Sequence, residues 1–80
     1  MNTSLLRLPA VVAATGLSRS SVYLRIKQKL MPPPVKIGER CAAWPSHEIE
    51  AINTARIAGK SEDEIRQLVD QLKKQRAANA

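Results

Sequence analysis

The chain is 80 residues long, with 44% hydrophobic and 25% charged residues. A chain of this length can bury only one small core, which excludes a two-domain enzyme. Its two aromatic residues, Tyr23 and Trp44, and the absence of Phe predict a core of aliphatic side chains packed around two rings. The single Cys41 permits no disulfide within the chain. Neither Cys41 nor the single His47 has a partner at metal-ligand spacing, so no metal and no cofactor is expected.

Basic residues are concentrated in the first part of the chain. The formal net charge is +6; residues 1–45 hold seven Lys and Arg against one acid, whereas residues 46–80 hold six of each sign. All of the net charge therefore lies in the first 45 residues. This distribution indicates an anionic partner for that part of the chain, of which nucleic acid is a common type.

Neither a membrane segment nor a catalytic group is apparent in the sequence. No apolar run approaches the roughly 18 residues of a membrane span, and Met1 to Arg7 lacks the basic start and apolar stretch of a secretory signal. His47 has no nucleophile at a spacing that suggests a catalytic pair. We therefore expect a cytoplasmic protein that is not an enzyme and has no membrane partner.

The first two predicted helices are separated by a very short turn. Leu8 to Ala14 is predicted as a helix with Pro9 at its first position, and Gly16 is expected to end it. Ser18 follows as an N-cap whose hydroxyl can accept a hydrogen bond from a backbone N–H two or three residues later. The second helix is expected from about Arg19 to Lys29.

The second helix has an apolar face and a basic face. At helical spacing its apolar side chains share one sector about 100° wide and are expected to be buried: Val22, Tyr23, Ile26 and Leu30. The charged residues of this helix are all basic, which is unusual for a helix that is merely solvated.

A proline-rich segment, a hairpin and a third helix follow. Three consecutive prolines, Pro32 to Pro34, predict an extended segment. Residues 35–37 and 42–44 then alternate around a basic turn, which predicts a β-hairpin with Gly38 supplying a positive φ. A third helix is expected from Pro45 and Ser46 through about Ala58, where Gly59 ends it. Ile49 and Ile52 are expected to face inward.

The last predicted helix begins with a capping box and is strongly amphipathic. Ser61 and Glu64 have the spacing at which each side chain satisfies a backbone N–H near the other residue. The apolar stripe has two interpretations: it packs on the isoleucines Ile49, Ile52 and Ile57 of its own domain, or it pairs with a second copy of the chain. The stripe consists of Ile65, Leu68, Val69 and Leu72. Ala77 to Ala80 are expected to fray.

The order of these elements is that of a winged helix-turn-helix. In that fold the second helix enters the major groove of duplex DNA, and the hairpin, called the wing, reaches neighbouring backbone or minor groove. We therefore predict a mainly α-helical fold with a small β-hairpin wing over residues 5–58. Residues 59–80 are predicted to form a C-terminal amphipathic helix with a frayed tail. The expected partner is double-stranded DNA.

Four segments carry a resemblance to a known family. They are Arg7-Leu8-Pro9, residues 15–23 (TGLSRSSVY), residues 34–40 (PVKIGER) and Trp44-Pro45. Together they resemble the AlpA family of prophage regulators, which is similar in turn to MerR-type DNA-binding domains and phage excisionases. The resemblance covers Arg7 to Ile57. The chain departs from the family pattern mainly at packing positions, where it has Ile52 instead of a common Trp and Cys41-Ala42-Ala43 instead of a small-residue and Gly run.

The resemblance implies a set of DNA-binding residues. It places Arg19, Ser20, Ser21 and Tyr23 on the recognition helix, Lys36 on the first strand of the wing and Arg40 at its tip. The residues themselves add Arg25 and Lys27 as candidate phosphate contacts. The family often has a basic residue directly after the Tyr, so either Leu24 or Arg25 is expected to reach a base. A solvated surface role is the alternative for the charged members of this set.

Three functions are compatible with this pattern. The first is a sequence-specific, DNA-binding transcriptional regulator of a prophage or mobile element. The second is an excisionase, which bends an attachment site and works with an integrase. The third is an adaptor whose helix from Glu62 to Arg76 binds another protein, with the basic half of the chain incidental. Self-association, as a dimer or as a cooperative assembly on DNA, is compatible with the DNA-binding functions.

Overall fold

Four helices and a three-stranded antiparallel sheet make up residues 4–78, which are the residues described by the computed structural model. The elements in chain order are β1 (Leu5–Leu6), α1 (Leu8–Thr15), α2 (Arg19–Lys27), β2 (Val35–Lys36), β3 (Ala42–Pro45), α3 (Ser46–Ile57) and α4 (Glu62–Ala78). This is a winged helix-turn-helix with an additional C-terminal helix, and it confirms the predicted fold class.

The sheet is built around its central strand, β3. Strand β2 pairs with β3 in the register Val35↔Ala43, which forms the predicted wing. Strand β1 pairs with the other edge of β3 in the register Leu6↔Trp44. Strand β1 was not expected, because two residues far from their partner in sequence carry no periodicity and no turn signal. The long-range pairing ties the start of the chain to the start of α3.

The helices end close to the predicted positions. Gly16 has a φ of 72° at the end of α1, and Gly59 has a φ of 77° after α3. Both are in the left-handed conformation that glycine commonly adopts at the end of a helix. Helix α2 ends at Lys27 rather than Lys29, because Lys29 itself adopts the left-handed conformation with a φ of 65°. The Leu30 N–H then donates to the Arg25 carbonyl at 2.8 Å, a helix-terminating bond usually associated with Gly.

One cluster of buried side chains connects all four helices with the sheet. It consists of Val11, Val22, Leu30, Met31, Trp44, Ile49, Ile52, Ile65, Val69 and Leu72. Trp44, with 1% of its surface exposed, confirms its predicted place in the core, and Ile49 and Ile52 face inward as expected.

Two predictions about burial were wrong. Tyr23 is 51% exposed because it lies at the edge of the apolar sector, and Ile57 is 88% exposed because it lies in the last turn of α3.

The wing turn differs from the predicted geometry. Gly38 does not have a positive φ, so the expectation that it supplies one was wrong. The turn is instead closed by the Ile37 N–H, which donates to the Cys41 carbonyl at 2.9 Å. Cys41 is a free thiol of intermediate burial. None of the turn residues Gly38, Glu39 and Arg40 has a positive φ.

Helix α4 begins at the predicted capping box and packs along α3. The Glu64 N–H donates to Ser61 Oγ at 3.2 Å, and the Ser61 N–H donates to Glu64 Oε1 at 3.1 Å. The latter bond lowers the pKa of the Glu64 carboxyl below its ordinary value. Because the folded state lowers this pKa, the ionised carboxyl stabilises the fold at pH values above its ordinary pKa. That contribution is lost as the pH falls through the lowered pKa.

The apolar stripe of α4 lies against its own domain. Ile65, Val69 and Leu72 are buried in the core cluster, and Leu68 is partly buried against it. The structure therefore has the intramolecular packing of the two arrangements considered for this stripe. Helix α4 continues through Ala78, so Ala77 and Ala78 are helical where fraying was expected. Residues 79 and 80 lie outside the described residues.

An ion pair connects the start of α3 with the last turns of α4. Glu48, in the first turn of α3, is fully buried. Its carboxylate accepts two hydrogen bonds from the Arg76 guanidinium, one of them from Nε at 2.7 Å. Arg76 Nη2 also donates to the Pro33 carbonyl at 2.8 Å. The pair was not foreseen, because the two residues are far apart in sequence and each has the pattern of a surface residue.

The packing of α4 can be tested with a pair of neighbouring residues. Leu72→Ala removes a side chain that is 6% exposed, so we expect the free energy of unfolding to fall by about 2–5 kcal/mol. Gln71→Ala, on the exposed side of α4, is the matched control and should change it by less than about 0.5 kcal/mol. Urea denaturation measures both. Equal effects of the two substitutions would contradict the packing described here, as would a wild-type melting temperature that rises with protein concentration.

Candidate nucleic-acid interface

The turn between α1 and α2 is fixed by short-range hydrogen bonds. Thr15 Oγ1 donates to the Val11 carbonyl at 2.7 Å and accepts from the Leu17 N–H at 3.3 Å. Ser18 then caps α2, as predicted, because its Oγ accepts from the Ser21 N–H at 3.1 Å. These bonds satisfy polar groups at both sides of the turn, so the angle between α1 and α2 is set locally.

A second contact fixes this pair of helices on the rest of the domain. Asn53 Nδ2, on α3, donates to the Ala14 carbonyl near the end of α1 at 2.9 Å. Val22 of α2 and Val11 of α1 are both fully buried. The buried side of α2 is thus held by the core, and its opposite side faces solvent.

Most of the predicted recognition residues lie on the solvent side of α2. Arg19, Ser20, Tyr23, Leu24 and Lys27 are exposed. Leu24 is 54% exposed. Exposed apolar and aromatic groups beside basic residues are able to contact thymine methyl groups or bases.

Ser21 and Arg25 lie at the side of α2 and are half-buried. The Ser21 hydroxyl accepts a hydrogen bond from Ser18 Oγ at 2.9 Å, so it takes part in the cap. Arg25 lies near Arg56 of α3. Burial, and after it the charge of Arg25, lower the pKa of the Arg56 guanidinium below its ordinary value. These two arginines form a basic edge beside the exposed face of α2.

One groove brings together residues from three parts of the chain. It is lined by Arg7, before α1, by Arg19 and Tyr23 of α2, and by Arg40 of the wing turn; the other lining residues are Leu8, Pro9, Ala42 and Trp44. We call it the arginine groove. The sequence predicted Arg19, Tyr23 and Arg40 separately, and the fold places them in one site. It does not bring Lys36 into this groove; Lys36 is exposed on β2.

Arg7 is a residue of the arginine groove that the sequence interpretation missed. It was noted only as part of the Arg7-Leu8-Pro9 motif, since nothing local distinguishes it from a solvated Arg. It occupies the N-cap position of α1 without making a side-chain capping bond. Its side chain is therefore not engaged in holding the helix and is available to a ligand in the groove.

The positive charges of the arginine groove and of the exposed face of α2 are not paired with acidic side chains among the described residues. None of the residues that line the arginine groove is acidic. Among residues 4–78, every ion pair includes a side chain of α4. The basic residues of α2 and the wing thus form no ion pair in the described part of the chain. A surface of this kind attracts polyanions strongly.

Other kinds of site are not found in the described part of the chain. Residues 4–78 contain no group of three or more His, Cys, Asp or Glu side chains arranged to hold a metal ion. None of the helices described is long and apolar enough to cross a membrane.

The Ser18 cap can be tested against a neighbouring serine. Ser18→Ala removes the bond to the Ser21 N–H, so we expect the free energy of unfolding to fall by about 1 kcal/mol. Ser20→Ala, at an exposed position of the same turn, should leave it almost unchanged. Thermal and urea denaturation compare the two variants. A Ser20→Ala loss as large as that of Ser18→Ala would contradict the assignment of the cap.

Comparison with known proteins agrees with this architecture. Residues 4–57, which contain β1, α1, α2, the wing and α3, match the family described as Prophage CP4-57 regulatory protein (AlpA). A relative from Enterobacteria phage P4, the uncharacterized protein ORF88, is 42% identical over 55 residues, which are 69% of this chain and 62% of that relative. No solved structure is a significant match. Because the family match covers well over half of the chain, the protein belongs to the AlpA family of prophage regulatory proteins.

Proposed function

We propose that this protein is a sequence-specific, double-stranded DNA-binding regulator of transcription for a prophage or related mobile element. The observation that carries the proposal is the arginine groove, in which Arg7, Arg19 and Arg40 converge beside the exposed face of α2. Membership of a family of prophage regulatory proteins supports it. Its site of action would be the cytoplasm, where the DNA of a prophage is found.

In this proposal α2 is the recognition helix and lies in the major groove. Arg19 and Ser20 are in its first turn, where the side chains reach base edges and the free N–H groups of the helix favour a phosphate. Tyr23 and Leu24 follow on the same exposed side, with Lys27 one turn later. The basic side chains at the edge of the helix would contact phosphates and position it, while Arg19 would supply most of the base preference.

The wing would contact the neighbouring backbone or minor groove. Arg40 lies at the exposed turn, and Lys36 is exposed on β2. The turn is held by only a few backbone bonds, of which that between Cys41 and Gly38 is long at 3.5 Å. An Arg on such a turn can follow the shape of a minor groove without disturbing the core.

An excisionase that bends an attachment site is the second candidate. Ile37, next to the wing turn, is 47% exposed. An apolar side chain at that place is of the type that architectural proteins insert between base steps to bend DNA. This role would need the same DNA-binding face, together with a bend at the bound site and an integrase as partner.

An adaptor role through α4 has less support. That hypothesis requires an exposed apolar face, whereas Ile65, Val69 and Leu72 are buried in the chain's own core. The same burial argues against a dimer formed through this stripe.

Duplex binding should depend steeply on salt. If the basic surface neutralises about 4–6 phosphates, the logarithm of the association constant should fall with the logarithm of salt concentration with a slope of about −4 to −5. Fluorescence anisotropy with a labelled duplex, recovered by selection from a random pool, measures this slope. A flat response between low and physiological salt would exclude the proposed function.

The recognition helix and the wing should contribute differently. Arg19→Ala should cost about 1–3 kcal/mol of binding free energy and relax base preference, because a base contact is lost. Arg40→Ala should weaken binding to all sequences with less change in preference, because a backbone contact is lost. Binding-site selection with each variant compares the preferences. If Arg19→Ala keeps both the affinity and the preferred sequence of the wild type, α2 is not the recognition helix.

A further inference from the structure

A second basic groove lies between the end of α2 and the side of α4. Its rim carries three lysines: Lys27 at the end of α2, Lys29 just after it, and Lys73 on α4. Its floor includes the buried side chains of Met31 and Val69. We call it the lysine groove. Helix α4 lies beyond the family match, which ends at residue 57, so Lys73 belongs to a part of the chain to which that match assigns no role.

Helix α4 is fixed in place on both sides of Lys73. Arg66 Nε donates to the Gln28 carbonyl, at the end of α2, at 3.0 Å. Arg76 Nη2 donates to the Pro33 carbonyl at 2.8 Å. Positions 66, 73 and 76 are on one side of a helix, because they are separated by seven and three residues. Lys73 is therefore held over the segment that contains Lys29.

Lys29 lines this groove in an unusual backbone conformation. Its φ of 65° is in the left-handed region, which favours Gly and disfavours residues with a Cβ. Gly16 and Gly59 occupy the corresponding positions after α1 and α3. A Lys at this position gives up some stability compared with Gly and adds a positive charge at the rim.

The three lysines are not neutralised within the described residues. The acid that lines the groove, Asp70, pairs with Lys74 at 3.0 Å. Arg66 pairs with Glu62 and Asp63. Lys27, Lys29 and Lys73 form no ion pair among residues 4–78. The rim therefore has a local excess of positive charge that no acidic side chain of the described residues neutralises.

The lysine groove continues the proposed DNA-binding face. Lys27 lies one helical turn after Tyr23, which lines the arginine groove, and Lys27 itself lines the lysine groove. The exposed face of α2 thus leads from one groove to the other. Lysines act as point charges, which suits contacts with backbone phosphates better than reading of bases.

We propose that the lysine groove binds the phosphate backbone of duplex DNA beside the segment contacted by α2, with Lys73 and Lys29 as the contacting residues. This inference rests on the proposed function. It gives α4 a part in DNA binding besides its part in the core, and it makes the DNA contact longer than the matched family region alone would provide.

The test measures salt-dependent affinity for the selected duplex with Lys73→Gln and Lys29→Gly. Each variant should lower the steepness of the salt slope by about 0.9 and weaken binding about five- to tenfold at about 0.1 M salt. Lys29→Gly should do so without a fall in melting temperature, because Gly adopts the left-handed conformation freely. That combination separates lost binding from lost folding. Lys73→Gln keeps a good helix former at an exposed position and should also melt like the wild type.

Lys60→Gln is the matched control. It removes the same charge from a residue that is exposed beside Glu64 and lines a different depression, with Gln67 and Gln71. We expect less than a twofold loss and an unchanged slope. If Lys73→Gln and Lys29→Gly behave like Lys60→Gln while Arg19→Ala weakens binding, the lysine groove makes no DNA contact and the proposed function stands. If the wild type shows no salt-dependent duplex binding, both proposals fail.

Discussion

The position of the wing depends on one buried side chain, Trp44. It lies on the central strand of the sheet, is 1% exposed, and donates its indole N–H to the Pro32 carbonyl at 2.9 Å. A buried N–H without a partner would cost about 1–3 kcal/mol, so this bond fixes the proline segment that links α2 to the wing. Because β3 leads directly into α3, the same residue relates α2, the wing and α3 to one another. The separation of Arg19 from Arg40 is therefore set by the core rather than by the exposed residues.

Two different interactions hold α4, and their magnitudes give them different roles. Burying Ile65, Val69 and Leu72 contributes about 1.5–3 kcal/mol for each side chain, as an upper estimate. The Glu48–Arg76 pair contributes little net stability, because desolvation of the carboxylate offsets the attraction. An unpaired Glu48, in contrast, would cost about 3–5 kcal/mol. Apolar burial thus holds α4 on the domain, and the ion pair selects the one position along α3 at which Glu48 has its partner.

Features that depend on neighbouring residues could be predicted from the sequence, whereas features that depend on distant residues could not. Gly16, the Ser18 cap and the Ser61 capping box were all predicted correctly, because each needs only a few successive residues. Strand β1 and the Glu48–Arg76 pair were missed, since their partners are 28 or more residues away. The exposed face of α2 was predicted from the sequence. The other residues of the arginine groove were predicted only in part, because Arg40 was expected at the wing tip whereas Arg7 reaches the groove only through the fold.

The distribution of ion pairs separates folding from binding in this chain. The acids of α4 neutralise bases of the same helix or of its immediate neighbour, as with Glu64 and Lys60 or Asp70 and Lys74, at three or four residues' spacing. The basic residues of α2 and the wing have no such partners among residues 4–78. A polyanion that binds there therefore does not first have to break an internal ion pair. The same charges repel one another in the unbound protein, and the apolar packing of the core, to which α4 contributes Ile65, Val69 and Leu72, offsets that repulsion.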